Sequence, residues 1–194
     1  MNDQKVTGFT VATGVTTIGE NHYKRCSKLE SLEGMREGVT AIEMGAFQAC
    51  PRLTKLQGLP KSLTTIGHYA FADTGLTSLD GLPSMVTAIG NSAFAYSAAL
   101  ASIGPGFSPD CVVHPDAFLH SPALLAAARA KGFRSAVEWG KHHWLVVNRR
   151  FAVLSAVRQV RRDDSGEGSP LLAMISLLSD ELVREVVEFV GTLQ

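Results

Sequence analysis

Apolar positions recur about every 24 residues along the first two thirds of the chain, and polar residues separate them. Each unit is anchored by an isoleucine, and successive isoleucines lie 24, 24 and 23 residues apart: Ile18, Ile42, Ile66 and Ile89. Five residues further on comes an aromatic residue: Tyr23, Phe47, Phe71, Phe94 and Phe118. Leucines then follow at fixed steps. A repeat of this length predicts a solenoid, because each unit can bury its apolar side chains only against its neighbours.

The second half of each unit contains two leucines three residues apart, and we expect the strands of a sheet at this segment. Pro60 and Pro83 follow it and would end such strands, because proline has no N–H for a sheet ladder. The residues flanking the inward leucine would then point outward as a candidate partner-binding face: Ser31, Glu33, Lys55, Gln57, Ser78, Asp80 and Ser102. This face has none of the aromatic side chains that dominate binding hot spots. A merely solvated face is therefore the alternative interpretation.

The stretch LTTIGHYAFADTGLTSLDGLP, residues 63–83, resembles the BspA-type leucine-rich repeat. The family pattern contains Val-x-x-Ile-Gly-x-x-Ala-Phe-x-x-Cys, and the resemblance covers about residues 6–121. It implies a right-handed, β-rich solenoid, of about five units of 23–25 residues in this chain. It also implies the recognition of proteins or surfaces, and it implies no catalytic residue.

Helical patterns replace the repeat after residue 121. Ser121, Pro122 and Gly132 have the types expected at the N-cap, the first turn and the end of a helix. Ser135 and Glu138 have the spacing of a capping box, and we expect both helices to cap the open end of the solenoid. The predicted organisation is a solenoid over 1–121, a helical cap and basic helix over 122–162, a flexible loop over 163–170 and an acidic amphipathic helix over 171–194.

Charge is balanced over the whole chain but not along it. Residues 139–162 contain six Lys or Arg and no acid, whereas residues 163–194 contain seven acids and one Arg. The candidate basic patch consists of arginines: Arg149, Arg150, Arg158, Arg161 and Arg162. These arginines could bind the phosphates of lipid or nucleic acid, or pair with the acidic terminal helix. Interleaved apolar residues favour pairing, so nucleic acid is not the expected partner and an anionic surface is an alternative.

The terminal helix has an apolar stripe that makes it a candidate docking helix: Leu182, Val183, Val186, Val187 and Val190. Its sequence LLSDELVREVVEFVG, residues 177–191, resembles the first helix of an F-box, with Ser179 in place of the proline. The resemblance implies an alternative function. The chain would be a substrate adaptor of a ubiquitin ligase, in which the repeats recognise the target.

Nothing in the sequence points to catalysis, a metal or a cofactor. Cys26, Cys50 and Cys111 occupy small or apolar slots of the repeat, so we expect buried hydrophobic residues rather than nucleophiles. His142 and His143 lack acid or thiol neighbours at metal-ligand spacing.

The expected location is intracellular and cytoplasmic, or an organelle if a transit peptide was removed. Three cysteines do not make a disulfide framework, and neither a signal peptide nor a run long enough to span a bilayer is visible. The hydrophobic fraction of 45% predicts a packed protein. The expected function is that of a non-catalytic protein–protein interaction module or scaffold subunit of an intracellular assembly.

Overall fold

Five short strands form one parallel sheet in the computed structural model, which describes residues 11–146. The strands are β1 (Thr17–Ile18), β2 (Ala41–Ile42), β3 (Thr65–Ile66), β4 (Ala88–Ile89) and β5 (Val112–Val113). They pair in chain order, and the register aligns the isoleucines of successive units. Each strand therefore contributes the same slot of the repeat to a continuous buried row, as the spacing predicted.

The sheet lies at the isoleucine segment, so the prediction of strands at the leucine segment was wrong. Among the described residues, the leucine segment contains one isolated bridge, between Ser78 and Ser102. Its serines bend the chain instead. The Ser31 hydroxyl accepts the N–H of Glu33 at 2.9 Å, and the Ser78 hydroxyl accepts that of Asp80 at 3.0 Å. Such local bonds favour turns over strand pairing.

The aromatic residues of successive units form a stacked column through the core. This confirms the prediction that each unit buries its apolar side chains against its neighbours. Ring centroids of neighbouring units lie 5.4, 5.2, 5.5 and 5.6 Å apart along the column Tyr23, Phe47, Phe71, Phe94 and Phe118. The planes of each pair are within 10° of parallel. The three central rings are fully buried. Ring contact therefore repeats at every junction between units.

A second backbone ladder, which we call the turn ladder, joins the units along the turn that carries the aromatic residues. The N–H of Phe71 donates to the carbonyl of Ala93 at 2.8 Å, and the N–H of Asp73 donates to that of Ala95 at 2.8 Å. Equivalent pairs link the other units. In every rung the donor belongs to the earlier unit and the acceptor to the later one. The turn ladder therefore has a direction along the solenoid.

Glycines stand where neighbouring units approach most closely. Gly58 has a φ of +96°, and a Cβ on this residue would come 2.5 Å from the carbonyl carbon of Leu32. Gly38 has a similar φ of +104° but faces open space. The two positions separate the conformational reason for glycine from the steric one.

Helix α1 (Pro122–Ala130) follows the last unit and contributes Leu124 and Ala128 to the core. Ser121 is its N-cap residue, as the sequence predicted, but the side chain makes no cap hydrogen bond. The hydroxyl donates instead to the carbonyl of Phe94 at 3.1 Å. A buried carbonyl without a partner is costly, which explains why the hydroxyl serves it.

The end of α1 agrees with the sequence. Gly132 has a φ of +85°, and its N–H donates to the carbonyl of Arg129 at 2.9 Å. The N–H of Phe133 donates to the carbonyl of Ala128 at 3.0 Å. These two bonds form a Schellman motif, which confirms Gly132 as the stop residue.

Helix α2 runs over 136–146, up to the end of the described residues. The N–H of Glu138 donates to the Ser135 hydroxyl at 3.1 Å, and the Glu138 carboxylate accepts the N–H of Arg134 at 2.9 Å. The predicted capping box is confirmed, except that the carboxylate accepts the N–H of the residue before the N-cap rather than that of the N-cap residue itself. Trp139 of α2 joins the same buried core as the repeats. The predicted boundaries at 162 and 170 lie outside the described residues.

Candidate protein-interaction surface

The predicted partner-binding face consists of two rows that step from unit to unit along the leucine segment. Glu33, Lys55, Gln57 and Asp80 are exposed, whereas the three serines are half-buried. Each serine hydroxyl already accepts an N–H of its own turn. A hydroxyl retains one donor, so the serines can still give a hydrogen bond to a partner.

The face carries charges of both signs in fixed positions. Glu33, Gln57 and Asp80 occupy one slot of successive units, and Lys55 lies in the other row, between the positions of Ser31 and Ser78. Their backbones are fixed by the repeat stack. Such a pattern favours a partner with complementary charges, because electrostatic matching sets specificity and association rate more than affinity.

Two exposed tyrosines lie in the turns that carry the aromatic column, and the sequence analysis missed both. Tyr69 is 39% exposed and Tyr96 is 51% exposed. Both have positive φ, as do the residues in the same slots of most other units. The Tyr96 ring stacks on that of His120 of the next unit at 5.0 Å. The sequence does contain a signal for these tyrosines. Each is a large aromatic residue in a slot that small or polar residues such as Asn21 and Ala49 fill in other units.

An apolar groove of about 680 Å³, lined in part by His120, lies at the end of the last unit. Its walls come from the turn of that unit and from both helices: Pro115, Phe118, Leu119, Leu125, Ala136 and Val137, among others. The volume is in the range of about 300–1,000 Å³ that is typical of ligand sites. The groove depends on how α1 and α2 fold back, so the repeat pattern does not reveal it.

The three cysteines are free and buried, as the sequence predicted. The Cys50 thiol donates to the carbonyl of Tyr23 at 3.2 Å. Burial raises the pKa of Cys50 from 9.0 to about 12 and also raises the pKa values of Cys26 and Cys111. A thiol that stays protonated is a poor nucleophile, so these groups belong to the packing.

We expect the cysteines to resist labelling by a thiol reagent at pH 8 in the native protein and to react fully in guanidinium chloride. Because the pKa of Cys50 is higher in the folded state, its contribution to stability is complete below pH 9. The free energy of unfolding should fall as the pH rises from about 9 to about 12, and Cys50→Ala should reduce this fall. Rapid labelling of the native protein would contradict the burial.

Candidate metal sites and membrane-spanning helices are both absent from the residues that the structure describes. Within residues 11–146, no group of three His, Cys, Asp or Glu side chains is placed to hold a metal ion. The His142 ring lies 5.1 Å from that of Phe133. In the same range, no helix is long and apolar enough to cross a membrane.

Two predicted sites lie outside the described residues. They are the basic patch (Arg149, Arg150, Arg158, Arg161 and Arg162) and the docking helix (Leu182, Val183, Val186, Val187 and Val190). The two alternative functions, an anionic-surface binder and an F-box-like adaptor, depend on these residues. Both stay predictions of the sequence.

Comparison with known proteins agrees with the geometry of the repeats. The family model for the BspA type leucine rich repeat region matches residues 1–111 with six copies, where the spacing predicted about five units. The chain belongs to this family. Leucine-rich repeats generally mediate protein–protein interaction, and proteins built from them are typically non-catalytic.

A solved structure of a leucine-rich repeat protein from Bacteroides ovatus ATCC 8483 is similar to this BspA-type chain, with a TM-score of 0.52 and 29% sequence identity. The similarity covers 62% of this chain and 30% of the Bacteroides chain. The chain thus matches less than a third of that protein's length. No curated protein matches the chain.

Proposed function

We propose that this BspA-type repeat protein is a non-catalytic protein–protein interaction module that acts as a scaffold subunit of an intracellular assembly. The observation that carries the proposal is the pair of backbone ladders, which hold the exposed rows of the leucine segment in fixed register. A backbone that is already ordered loses little conformational entropy on binding. A rigid array of this kind supports recognition of a partner along its length.

Further features support the finer points of the proposal. The solenoid is right-handed, as its family resemblance implies, and α1 and α2 cap its end. Phe107, which follows the leucine segment of the fourth unit, donates its N–H to the carbonyl of Gly140 in α2 at 3.3 Å. Three free thiols favour a reducing, intracellular compartment.

Charge reversal on the candidate face tests the proposal. We expect the triple variant Glu33→Lys, Lys55→Glu and Asp80→Lys to lose the partner proteins that the full-length chain captures from its native cell lysate, as measured by mass spectrometry. We expect this loss because each substitution reverses a charge on a face where complementary charges select the partner.

A matched control carries the same change in net charge on a different surface. Its substitutions are Glu20→Lys, Lys24→Glu and Glu43→Lys, all at exposed positions of the first two units. We expect this control to capture the same partners as the unmodified chain. Equal capture by both variants would show that the candidate face is only a solvated surface.

A further inference from the structure

Within the part of the chain that the structure describes, the last rung of the turn ladder has donors but no acceptors. In each earlier unit, the N–H groups of the aromatic residue and of the residue two positions later donate to the next unit. The equivalent residues of the fifth unit are Phe118 and His120. Among residues 11–146, neither N–H has a hydrogen-bond acceptor. His120 nevertheless keeps the positive φ of its slot, at +55°.

The preceding rung shows what such donors bind. The N–H of Phe94 donates to the carbonyl of Ala117 at 2.8 Å, and that of Tyr96 donates to the carbonyl of Leu119 at 2.9 Å. The acceptors are two residues apart, like the donors. Carbonyls of alternate residues also point to one side of an extended chain. An extended peptide can therefore continue the ladder by one rung.

The free donors lie at the apolar groove. Phe118 and His120 both line it, and Leu119, Leu125 and Val137 supply apolar walls. The aromatic column does not continue in this direction, because the Phe107 ring stacks on that of Phe118 at 5.9 Å. The aromatic residue of a complete further unit would need the position that the Phe107 ring occupies. A single extended segment needs only the groove.

We propose that this groove binds an extended peptide segment of a partner protein through main-chain hydrogen bonds to Phe118 and His120. An apolar side chain of the peptide fills the space beside Leu125. Recognition by strand addition works in this manner, since main-chain bonds give affinity and side-chain pockets give specificity. The site is separate from the charged face of the proposed function and extends that function by a second surface.

The first test selects a random heptapeptide phage library on the immobilised full-length chain and measures the affinity of the best synthetic peptide. Leu125→Arg in the groove should weaken binding tenfold or more, because the apolar side chain of the peptide would lose its contact with leucine and meet a charge instead. Leu145→Arg is the matched control, because Leu145 is also 37% exposed but does not line the groove. It should leave the affinity within a factor of about two.

Leu119→Arg, at a groove residue that is 40% exposed, serves as a second groove variant if Leu125→Arg does not fold. Equal binding to the Leu125→Arg and Leu145→Arg chains, or a selection that enriches no peptide, would overturn the proposal. The triple charge-reversal variant of the candidate face should bind the peptide normally. The two proposals can therefore fail independently.

Amide hydrogen exchange gives the second test. The amides of Phe118 and His120 should exchange fast in the free chain and slow at least tenfold with saturating peptide, as expected for newly bonded amides. Those of Phe94 and Tyr96 are already bonded and should change little. Protection of Phe118 and His120 without peptide would overturn the proposal, because the chain itself or a second copy would then occupy the edge.

Discussion

Replacement of Phe71 by alanine should lower the free energy of unfolding by about 3–5 kcal/mol. The side chain is fully buried, and its ring lies between those of Phe47 at 5.2 Å and Phe94 at 5.5 Å. Removal of the ring leaves a cavity in the middle of the column. Because each unit is stabilised by both neighbours, the loss affects two junctions at once.

Urea unfolding of the Phe71→Ala chain beside Phe71→Leu measures this effect. Leucine keeps much of the buried volume, so its cost should be below about 1.5 kcal/mol. A loss of less than about 0.5 kcal/mol for the alanine variant is incompatible with a buried ring. The stacked register of the units would then be wrong.

Replacement of Gly58 by alanine should cost about 2–5 kcal/mol, which is more than a surface substitution normally does. Two effects combine at this position. A side chain at a φ of +96° costs about 1–2 kcal/mol, and its Cβ would come 2.5 Å from the carbonyl carbon of Leu32. The backbone of one unit must then shift away from the next, at a further cost of about 1–3 kcal/mol.

Gly38→Ala is the control that separates these effects. Its φ of +104° imposes the same conformational cost, but no atom lies within 4 Å of the added Cβ. The expected loss is therefore only about 1–2 kcal/mol. Equal losses for the two variants in thermal or urea unfolding would mean that the units are not in close contact at Gly58.

Spacing alone was sufficient to predict the core. Ile66 and Phe71 recur at the same step in every unit, and stacking of identical units places them in continuous rows whatever the path of the chain between them. The position of the sheet was harder to predict. Its strands are only two residues long, as in Thr65–Ile66, and two residues cannot show the alternation that identifies a strand.

Of the two candidate surfaces, one could be predicted from the sequence and the other could not. The charged residues of the leucine segment could be located from the repeat, because neighbours of a buried leucine must face away from it. The groove could not be located from the repeat. Its walls combine Leu119 of a turn with Val137 of a helix, and no local pattern states where that helix packs. Ser121 shows the same limit, since a tertiary contact with Phe94 replaced the expected local cap.

The turn ladder and the sheet run in opposite directions along the solenoid. In the sheet, the N–H of Gly67 donates to the carbonyl of Ile42 of the preceding unit at 2.7 Å, whereas in the turn ladder the N–H of Phe71 donates to the carbonyl of Ala93 of the following unit. The peptide dipoles of the two ladders therefore oppose each other, unlike those of a helix, which add. Insertion of another unit would lengthen the array without building up a large dipole along it.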